Sequence, residues 1–366
     1  MSKPQLLVAS AQTFEAAAQM ISALRRFGVR AEIWRPPPGS AVGRLLMRAD
    51  RLVYRRVHPR LLPEDPLPEP LLASVSSAGV TTVEATDETA VPLLATLAAA
   101  PNPEPQRRRS LRKVCDGSDP VGLFDKRWED GLARRAGIPT PAVWSGPADV
   151  DRFPVVIKPA HGAGGEGIIR VADAASLAGL WADDGSALIQ ELVEGRTVNV
   201  GGVARAGSAV VISGYHGTAA KEFGPIDSVQ LLDIPRAVEY ARRFLAASGY
   251  TGAFCFDFIE KDGEFYFLEC NARLFGSWIG LQLAGLDVVT AYAHVLGLSA
   301  APPDAALDFE TSFPVKHPST ADPRDLLRSG VARARAMRRI LGPRGTAWMF
   351  IDLVAHIRRA RMADAE

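Results

Sequence analysis

Glu264-Phe-Tyr-Phe-Leu-Glu-Cys-Asn-Ala-Arg273 begins with the aromatic and branched residues of a buried strand. It ends in a carboxylate, a carboxamide and a guanidinium within five positions. Burying Glu269 without a partner costs several kcal/mol, so a strand that ends this way needs a compensating charge. A hard divalent cation answers that need, because Mg²⁺ takes one or two carboxylates and completes its shell with water and phosphate. An ion pair between Glu269 and Arg273 answers it as well. The stretch alone leaves both open.

The preceding strand, Ala253-Phe-Cys-Phe-Asp-Phe-Ile-Glu260, supplies a second acid at Asp257 and reaches the first through Lys261-Asp262-Gly263. Register decides whether the two acids meet. A two-residue Asp-Gly turn pairs Glu260 with Phe265 and sends the acids to opposite faces. A three-residue loop, with Gly263 left-handed in a G1 bulge, pairs Glu260 with Glu264. The three-residue loop is the expectation. Alternation then puts Asp257, Glu269 and Asn271 on one face, the acids as diagonal neighbours roughly 7–8 Å apart. Such a face is a platform for metal and phosphate.

A complementary half lies upstream. Phe153-Pro-Val-Val-Ile-Lys-Pro159 reads as a short buried strand ending in a lysine, and His161-Gly-Ala-Gly-Gly-Glu-Gly167 follows it. Glycines at 162, 164, 165 and 167 leave backbone N–H groups unobstructed, so the loop can fold over phosphate oxygens. It is not a P-loop, since no Gly-Lys-Ser/Thr closes it and Ile168-Ile-Arg-Val171 resumes a strand. A plain hairpin loop is the ordinary explanation of such glycines; Lys158 ahead of them and the acidic hairpin behind favour a nucleotide lid.

Two further pieces complete the pattern. Ala187-Leu-Ile-Gln-Glu-Leu-Val-Glu-Gly195 is an apolar strand leaving polar backbone at its end. Asp125-Lys126-Arg-Trp-Glu-Asp-Gly-Leu-Ala-Arg-Arg-Ala-Gly137 is a helix closed by Gly137, with Ile138-Pro-Thr-Pro141 as an extended exit. Arginine is the default cation of this chain, and lysine occurs only at 3, 113, 126, 158, 221, 261 and 316. Lysines at the helix start and before the glycine loop therefore look selected for shape.

Taken in order, Lys126, Ile138-Pro-Thr-Pro141, Lys158-Pro159, the glycine loop, Gln190-Glu-Leu-Val193, Asp257 and Glu269-Cys-Asn-Ala-Arg273 resemble the ATP-grasp superfamily over roughly residues 111–298. Glu269 to Ser277, followed by Ala284-Gly-Leu-Asp287, is similar to the carboxylate–amine ligase-like members akin to carbamoyl-phosphate synthase and D-alanine ligase. The resemblance implies that Lys126 and Lys158 hold the ATP phosphates beneath Gly164, Gly165, Glu166 and Gly167. Gln190, Glu191 and Val193 would line the adenine hinge. Asp257, Glu269 and Asn271 would hold Mg²⁺, with Mn²⁺ as a substitute, and Arg273 would face the reacting group, with Lys158 as its catalytic companion.

Two positions depart from the pattern. Many members carry a ribose-binding Glu two residues after the glycine equivalent to Gly195, where this chain has Thr197; Glu194 or Asn199 would have to serve instead. Relatives often have Gly-Gly-x-Ser before the helix leading to the hairpin, where Phe223-Gly-Pro-Ile-Asp-Ser228 stands here.

The rest of the chain bounds the class. It has 366 residues, 47% hydrophobic and 23% charged, with a net charge of +1, which fits an enzyme of two or three domains better than a nucleic-acid binder. Gln5-Leu-Leu-Val-Ala-Ser10 is too short an apolar run for a signal peptide. Three cysteines form no closed disulfide set; Cys255 and Cys270 are expected close together on the hairpin with Cys115 remote, which suits a reducing cytoplasm.

The expected fold is mixed, α/β and α+β. Residues 1–105 form an N-terminal Rossmann-like (pre-ATP-grasp) domain, with a strand at Leu6–Ser10, a helix at Phe14–Phe27 and a strand at Val29–Trp34. That helix carries Phe14, Ala17, Ala18, Ile21, Leu24 and Phe27 on one stripe. No Gly-x-Gly-x-x-Gly follows the first strand, so dinucleotide binding is disfavoured. Residues 111–188 and 189–300 form the two ATP-grasp subdomains, after a linker at Pro101–Arg109. The basic run Tyr54–Arg60 is expected as a solvated loop, with carboxylate binding as the alternative.

Residues 301–366 form a helical extension broken at Gly342-Pro-Arg-Gly345. Thr346–Met362 carries Trp348, Ile351, Val354 and Ala355 on one side; it is too short and too charged to span a bilayer and is expected to dock on the body.

These readings imply an ATP-dependent ligase that activates a small carboxylate as an acyl phosphate and passes it to an amine, releasing ADP and phosphate. No nucleic acid and no transmembrane segment are expected, and a homodimer is compatible. A carboxylate–thiol ligase, a kinase-like phosphoryl transfer and a non-catalytic ATP-binding module remain as alternatives.

Overall fold

The computed structural model describes residues 5–9, 15–35, 37–59, 80–85, 122–162, 165, 167–219, 226–302, 306–314 and 323–363. The expected linker at 101–109, Cys115, Gly164 and Glu166 lie outside them.

The N-terminal part alternates strand and helix: β1 (Gln5–Ala9), α1 (Glu15–Leu24), β2 (Arg30–Arg35), α2 (Ala41–Val53), β3 (Arg56–Pro59) and β4 (Val80–Ala85). All four strands run parallel in the order β3-β2-β1-β4. Helix α1 buries Ala17, Ala18, Ile21 and Leu24 of the anticipated stripe, but Ala16, Gln19, Met20, Ser22 and Ala23 are buried too, so the helix is covered on all sides rather than on one face. A short 3-10 turn, Arg25–Phe27, closes it at Gly28, whose left-handed φ of 81° suits glycine. One expectation fails here. The basic run after Tyr54 is not a loop: residues 56–59 form the edge strand β3, and Arg56 lies 4.0 Å from Glu32 on β2.

The middle of the chain forms α3 (Lys126–Arg135), β5 (Val143–Trp144), β6 (Val155–Pro159), β7 (Ile169–Val171), α4 (Ala174–Leu180) and β8 (Ala187–Glu191). Its strands make an antiparallel sheet, β5-β8-β6-β7. Val155, Ile157 and Ile189 bury one face of that sheet together with Leu177 of α4. Alternation turns Val156, Lys158 and Gln190 to the other face.

The larger sheet follows with β9 (Arg196–Arg205), β10 (Ser208–Ala219), β11 (Ile226–Leu232), α5 (Pro235–Ser248), β12 (Gly252–Lys261), β13 (Glu264–Asn271), α6 (Trp278–Leu283), α7 (Val288–Val295) and β14 (Ser312–Pro314). Its order is β13-β12-β9-β10-β11-β14, antiparallel throughout. Phe254, Phe256, Phe258 and Phe267 pack under α5 against Phe244, the last two rings being 5.2 Å apart between Phe244 and Phe267. Each such buried ring contributes about 2–3 kcal/mol. This face is fixed by apolar burial, so the opposite face must carry Cys255, Asp257 and Ile259.

The last helix, α8 (Pro323–Ala363), breaks at Gly342, where φ is 67° and ψ 179°. It docks on α1 and α2 through buried Met337, Leu341, Trp348, Met349, Leu353 and Ala355, and the Trp348 indole donates to Asp50 Oδ1 at 3.0 Å. Docking was expected, but Val354 is not on the docked face; it is 43% exposed. Nor is the extension wholly helical, since β14 adds an edge strand to the large sheet. Among the described residues no helix is long and apolar enough to cross a membrane.

Candidate active site

The hairpin does not have the expected loop. Lys261 pairs with Glu264 and Glu260 with Phe265, so the turn is the two residues Asp262-Gly263, both left-handed at φ 51° and 78°. That register alone would part the acids. A bulge between Asp257 and Phe258 restores them: Phe258 faces Phe267, yet Asp257 faces Glu269, leaving Leu268 unopposed. Asp257 and Glu269 are thus direct cross-strand partners, closer than the diagonal arrangement expected. Pairing through β9 and β10 lines up Tyr215, Asn199, Asp257 and Glu269 in one row across the sheet.

β13 is an edge strand, and its outer edge is tied down by neighbours. Phe267 N donates to Pro139 O at 2.8 Å, Lys158 Nζ donates to Leu268 O at 2.9 Å, and Cys270 N donates to Glu129 Oε2 at 3.2 Å. The carbonyl of the bulged residue is thereby the acceptor for the strand-end lysine. Lys158 is 5% exposed and stands 3.7 Å from Glu269; Lys126 stands 3.6 Å from the same carboxylate oxygen. Lys126 also donates from Nζ to Gly162 O at 2.6 Å and from its backbone to Ala160 O, joining the α3 terminus to the start of the glycine loop.

Asn199 Nδ2 donates to Asp257 Oδ1 at 2.5 Å, Asn271 Nδ2 lies 3.4 Å from Asp257 Oδ2, and Arg273 Nη2 donates to Asn271 Oδ1 at 2.9 Å. Below the row, the Tyr215 hydroxyl meets Ser277 Oγ at 2.6 Å and Cys255 Sγ at 3.1 Å. Cys255 and Cys270 are free and buried, but they face opposite sides of the sheet.

The charges are unevenly held. Burial, reinforced by Glu269, lifts Asp257 to about 7. Burial also opposes ionisation of Glu269, but Lys158 and Lys126 outweigh it and hold that carboxyl below its ordinary value. Burial pushes Lys158 down against the pull of Glu269. Glu129 lies well above the carboxylate range, through burial first and Glu269 second.

Gln190 is buried on the same sheet face as Lys158, and Val193 is buried just beyond β8. Glu191 turns the other way and accepts from Ala142 N at 3.1 Å. Gly165 and Gly167 are left-handed, at φ 75° and 76°. Thr197 offers its carbonyl to His216, and Glu194 pairs with Arg170 at 3.1 Å. Asn199 belongs to the acid row. Sequence reasoning missed Glu129, a buried acid on an otherwise ordinary helix, and missed the bulge.

The donors fit a hard cation. Asp257 and Glu269 repel each other at close quarters, Asn271 keeps a second lone pair beside its bond to Arg273, and buried Asn199 Oδ1 has no hydrogen-bond partner among the described residues. No cluster of three or more His, Cys, Asp or Glu side chains suited to a metal occurs among the described residues, so the set is two carboxylates with amide oxygens.

A family model described as an ATP-grasp domain matches residues 125–277, the span from the α3 cap to Ser277 that builds this site. The chain carries an ATP-grasp domain. Solved structures of similar ATP-grasp fold include the L-amino acid ligase from Bacillus licheniformis, with 16% identity and a TM-score of 0.58 over 81% of this chain and 75% of that one. The N5-carboxyaminoimidazole synthetase from Staphylococcus aureus has 12% identity and a TM-score of 0.61 over 83% and 80%. Phosphoribosylglycinamide synthetase from Anaerococcus prevotii has 12% identity and a TM-score of 0.57 over 81% and 75%. At these identities the likeness is one of fold. No curated protein matches the chain by sequence.

Proposed function

We propose that this ATP-grasp domain activates a small carboxylate as an acyl phosphate and transfers the acyl group to an amine, releasing ADP and phosphate. The observation that carries the reading is the convergence of Lys126 and Lys158 on Glu269, opposite Asp257, beside the glycine loop. A carboxylate is a poor electrophile, and its oxygen must become a leaving group before an amine can displace it. ATP brings about four negative charges to that encounter, and catalysis lies in screening them while aligning donor and acceptor.

Lys126 and Lys158 supply two fixed ammonium groups; at 4 Å one pair of unit charges is worth about 4 kcal/mol at an effective dielectric of 20. Asp257, Glu269 and Asn271 would hold Mg²⁺ or Mn²⁺, which supplies neutralisation of phosphate charge. Arg273, held by Asn271 and by Leu274 O, is placed to face the transferring phosphoryl or the carboxylate. The loop around Gly165 and Gly167 would exclude water, which otherwise hydrolyses an acyl phosphate. Gln190, Glu191 and Val193 would border the adenine, Glu191 through its backbone. The parallel N-terminal sheet is taken as the pre-ATP-grasp domain, with subdomains at 111–188 and 189–300 and a C-terminal extension from 301. Substrates are small molecules, and a cytoplasmic setting suits both ATP and free thiols.

Incubating the protein with ATP, Mg²⁺ and mixtures of carboxylates and amines tests the proposal. ADP and phosphate, formed only when both substrates are present, are the expected products. AMP and pyrophosphate would identify an adenylating enzyme and overturn it.

A further inference from the structure

Glu129 lies one helical turn after Lys126 on α3 and is 2% exposed, yet nothing in the proposed chemistry uses it. Its carboxyl Oε2 accepts the backbone N–H of Cys270, the residue between Glu269 and Asn271. That N–H points off the outer edge of the sheet, because among the described strands β13 has a neighbour only on the β12 side. Without an acceptor it would be an unsatisfied buried donor at the end of a strand already loosened by the Leu268 bulge.

The contact also joins two halves of the site. Lys126 rides on the same helix and approaches Glu269 at 3.6 Å, so one side chain sets both the lysine-bearing helix and the acid-bearing strand. A buried acid is a costly way to fill apolar space, and Leu132 and Ala133 fill the neighbouring positions of α3 without one.

We infer that Glu129 is a positioning residue that clamps the Cys270 amide and thereby holds Glu269 and Asn271 in register with Lys126. The inference rests on the proposed metal–nucleotide reading of the platform. Its burial, which keeps the carboxyl far above the usual range, agrees with a hydrogen-bonding post rather than a cation ligand. Glu129 acts through the strand and touches no reacting atom.

Two variants of the full chain separate acceptor from bulk. Glu129→Gln keeps an oxygen acceptor and the volume; Glu129→Met keeps the volume and removes the acceptor. Mn²⁺ binding in the presence of a non-hydrolysable ATP analogue is read by electron paramagnetic resonance, beside thermal melting of the metal-free protein. Glu129→Met is expected to weaken Mn²⁺ binding by about tenfold or more while still melting cooperatively, and Glu129→Gln to stay within about threefold of wild type.

Wild-type affinity in Glu129→Met would overturn the clamp while leaving the ligase reading intact. Equal losses in both variants, or a Met variant that does not fold, would assign Glu129 to another role and also overturn it. Absence of Mn²⁺–nucleotide binding in the wild type would fell the ligase reading, and the clamp with it.

Discussion

Asp257 stands directly opposite Glu269 across β12 and β13, although the turn joining these strands is only Asp262-Gly263. A two-residue turn with regular pairing would have put the acids on opposite faces of the sheet, and Leu268 is the residue that prevents it. Deleting Leu268 should therefore close the bulge and leave Asp257 still opposite Glu269 in regular pairing. Mn²⁺ binding is expected to survive in a variant that still unfolds cooperatively in urea. Loss of that binding in the folded variant would show that the bulged backbone, and not the facing acids alone, sets the site.

Lys158 is buried against the Leu268 carbonyl and Glu269. Replacing it by alanine removes a charged donor that nucleotide phosphates would use, a loss of about 1.5–3 kcal/mol or roughly 10- to 100-fold in affinity. Titration calorimetry with ATP and Mg²⁺ should show that weakening in a folded variant. Unchanged affinity would remove Lys158 from the phosphate site.

Asp257 makes stability depend on pH. Its carboxyl is raised from an ordinary 3.8 to about 7, so between those values the folded chain holds a proton that the unfolded chain releases. Its contribution is fully present below pH 4 and is lost as pH rises through 7. Asp257→Asn should accordingly melt higher than wild type at pH 8 in metal-free buffer, by up to about 4 kcal/mol, and the gap should narrow as pH falls and close only below about pH 4. A variant destabilised equally at both pH values would contradict this.

Trp348 anchors the last helix through its bond to buried Asp50. Trp348→Phe keeps most of the ring and deletes the donor, leaving a cost of about 1–3 kcal/mol. The urea midpoint should fall by the corresponding amount with an unchanged slope. An unmoved midpoint would mean that the contact contributes nothing to the fold.

Much of this was legible in the residues because chemistry was concentrated in short runs. Lys126 at a helix start, Lys158 at a strand end and the acids of one hairpin have few bland explanations together, and the structure does bring them to one place. The common face of Asp257, Glu269 and Asn271 was anticipated, but from the wrong turn. The signal for the bulge was present: apolar residues fall at Phe265 and Phe267, then shift phase to Cys270 and Ala272, all four buried. The three-residue loop was the reading that put both acids on one face without a bulge. Glu129 was illegible because its role is long-range, a contact 141 residues away that no local period encodes. β3 was misjudged because charge suggested solvent, whereas an edge strand tolerates charged residues on its open side.

The platform itself is tested most directly by anomalous scattering. Crystals of the full chain, soaked with Mn²⁺ and a non-hydrolysable ATP analogue, should show a manganese peak in contact with the carboxylates of Asp257 and Glu269. The terminal phosphate should lie beside Lys126 and Lys158. A peak elsewhere, or nucleotide bound away from these four side chains, would contradict the account.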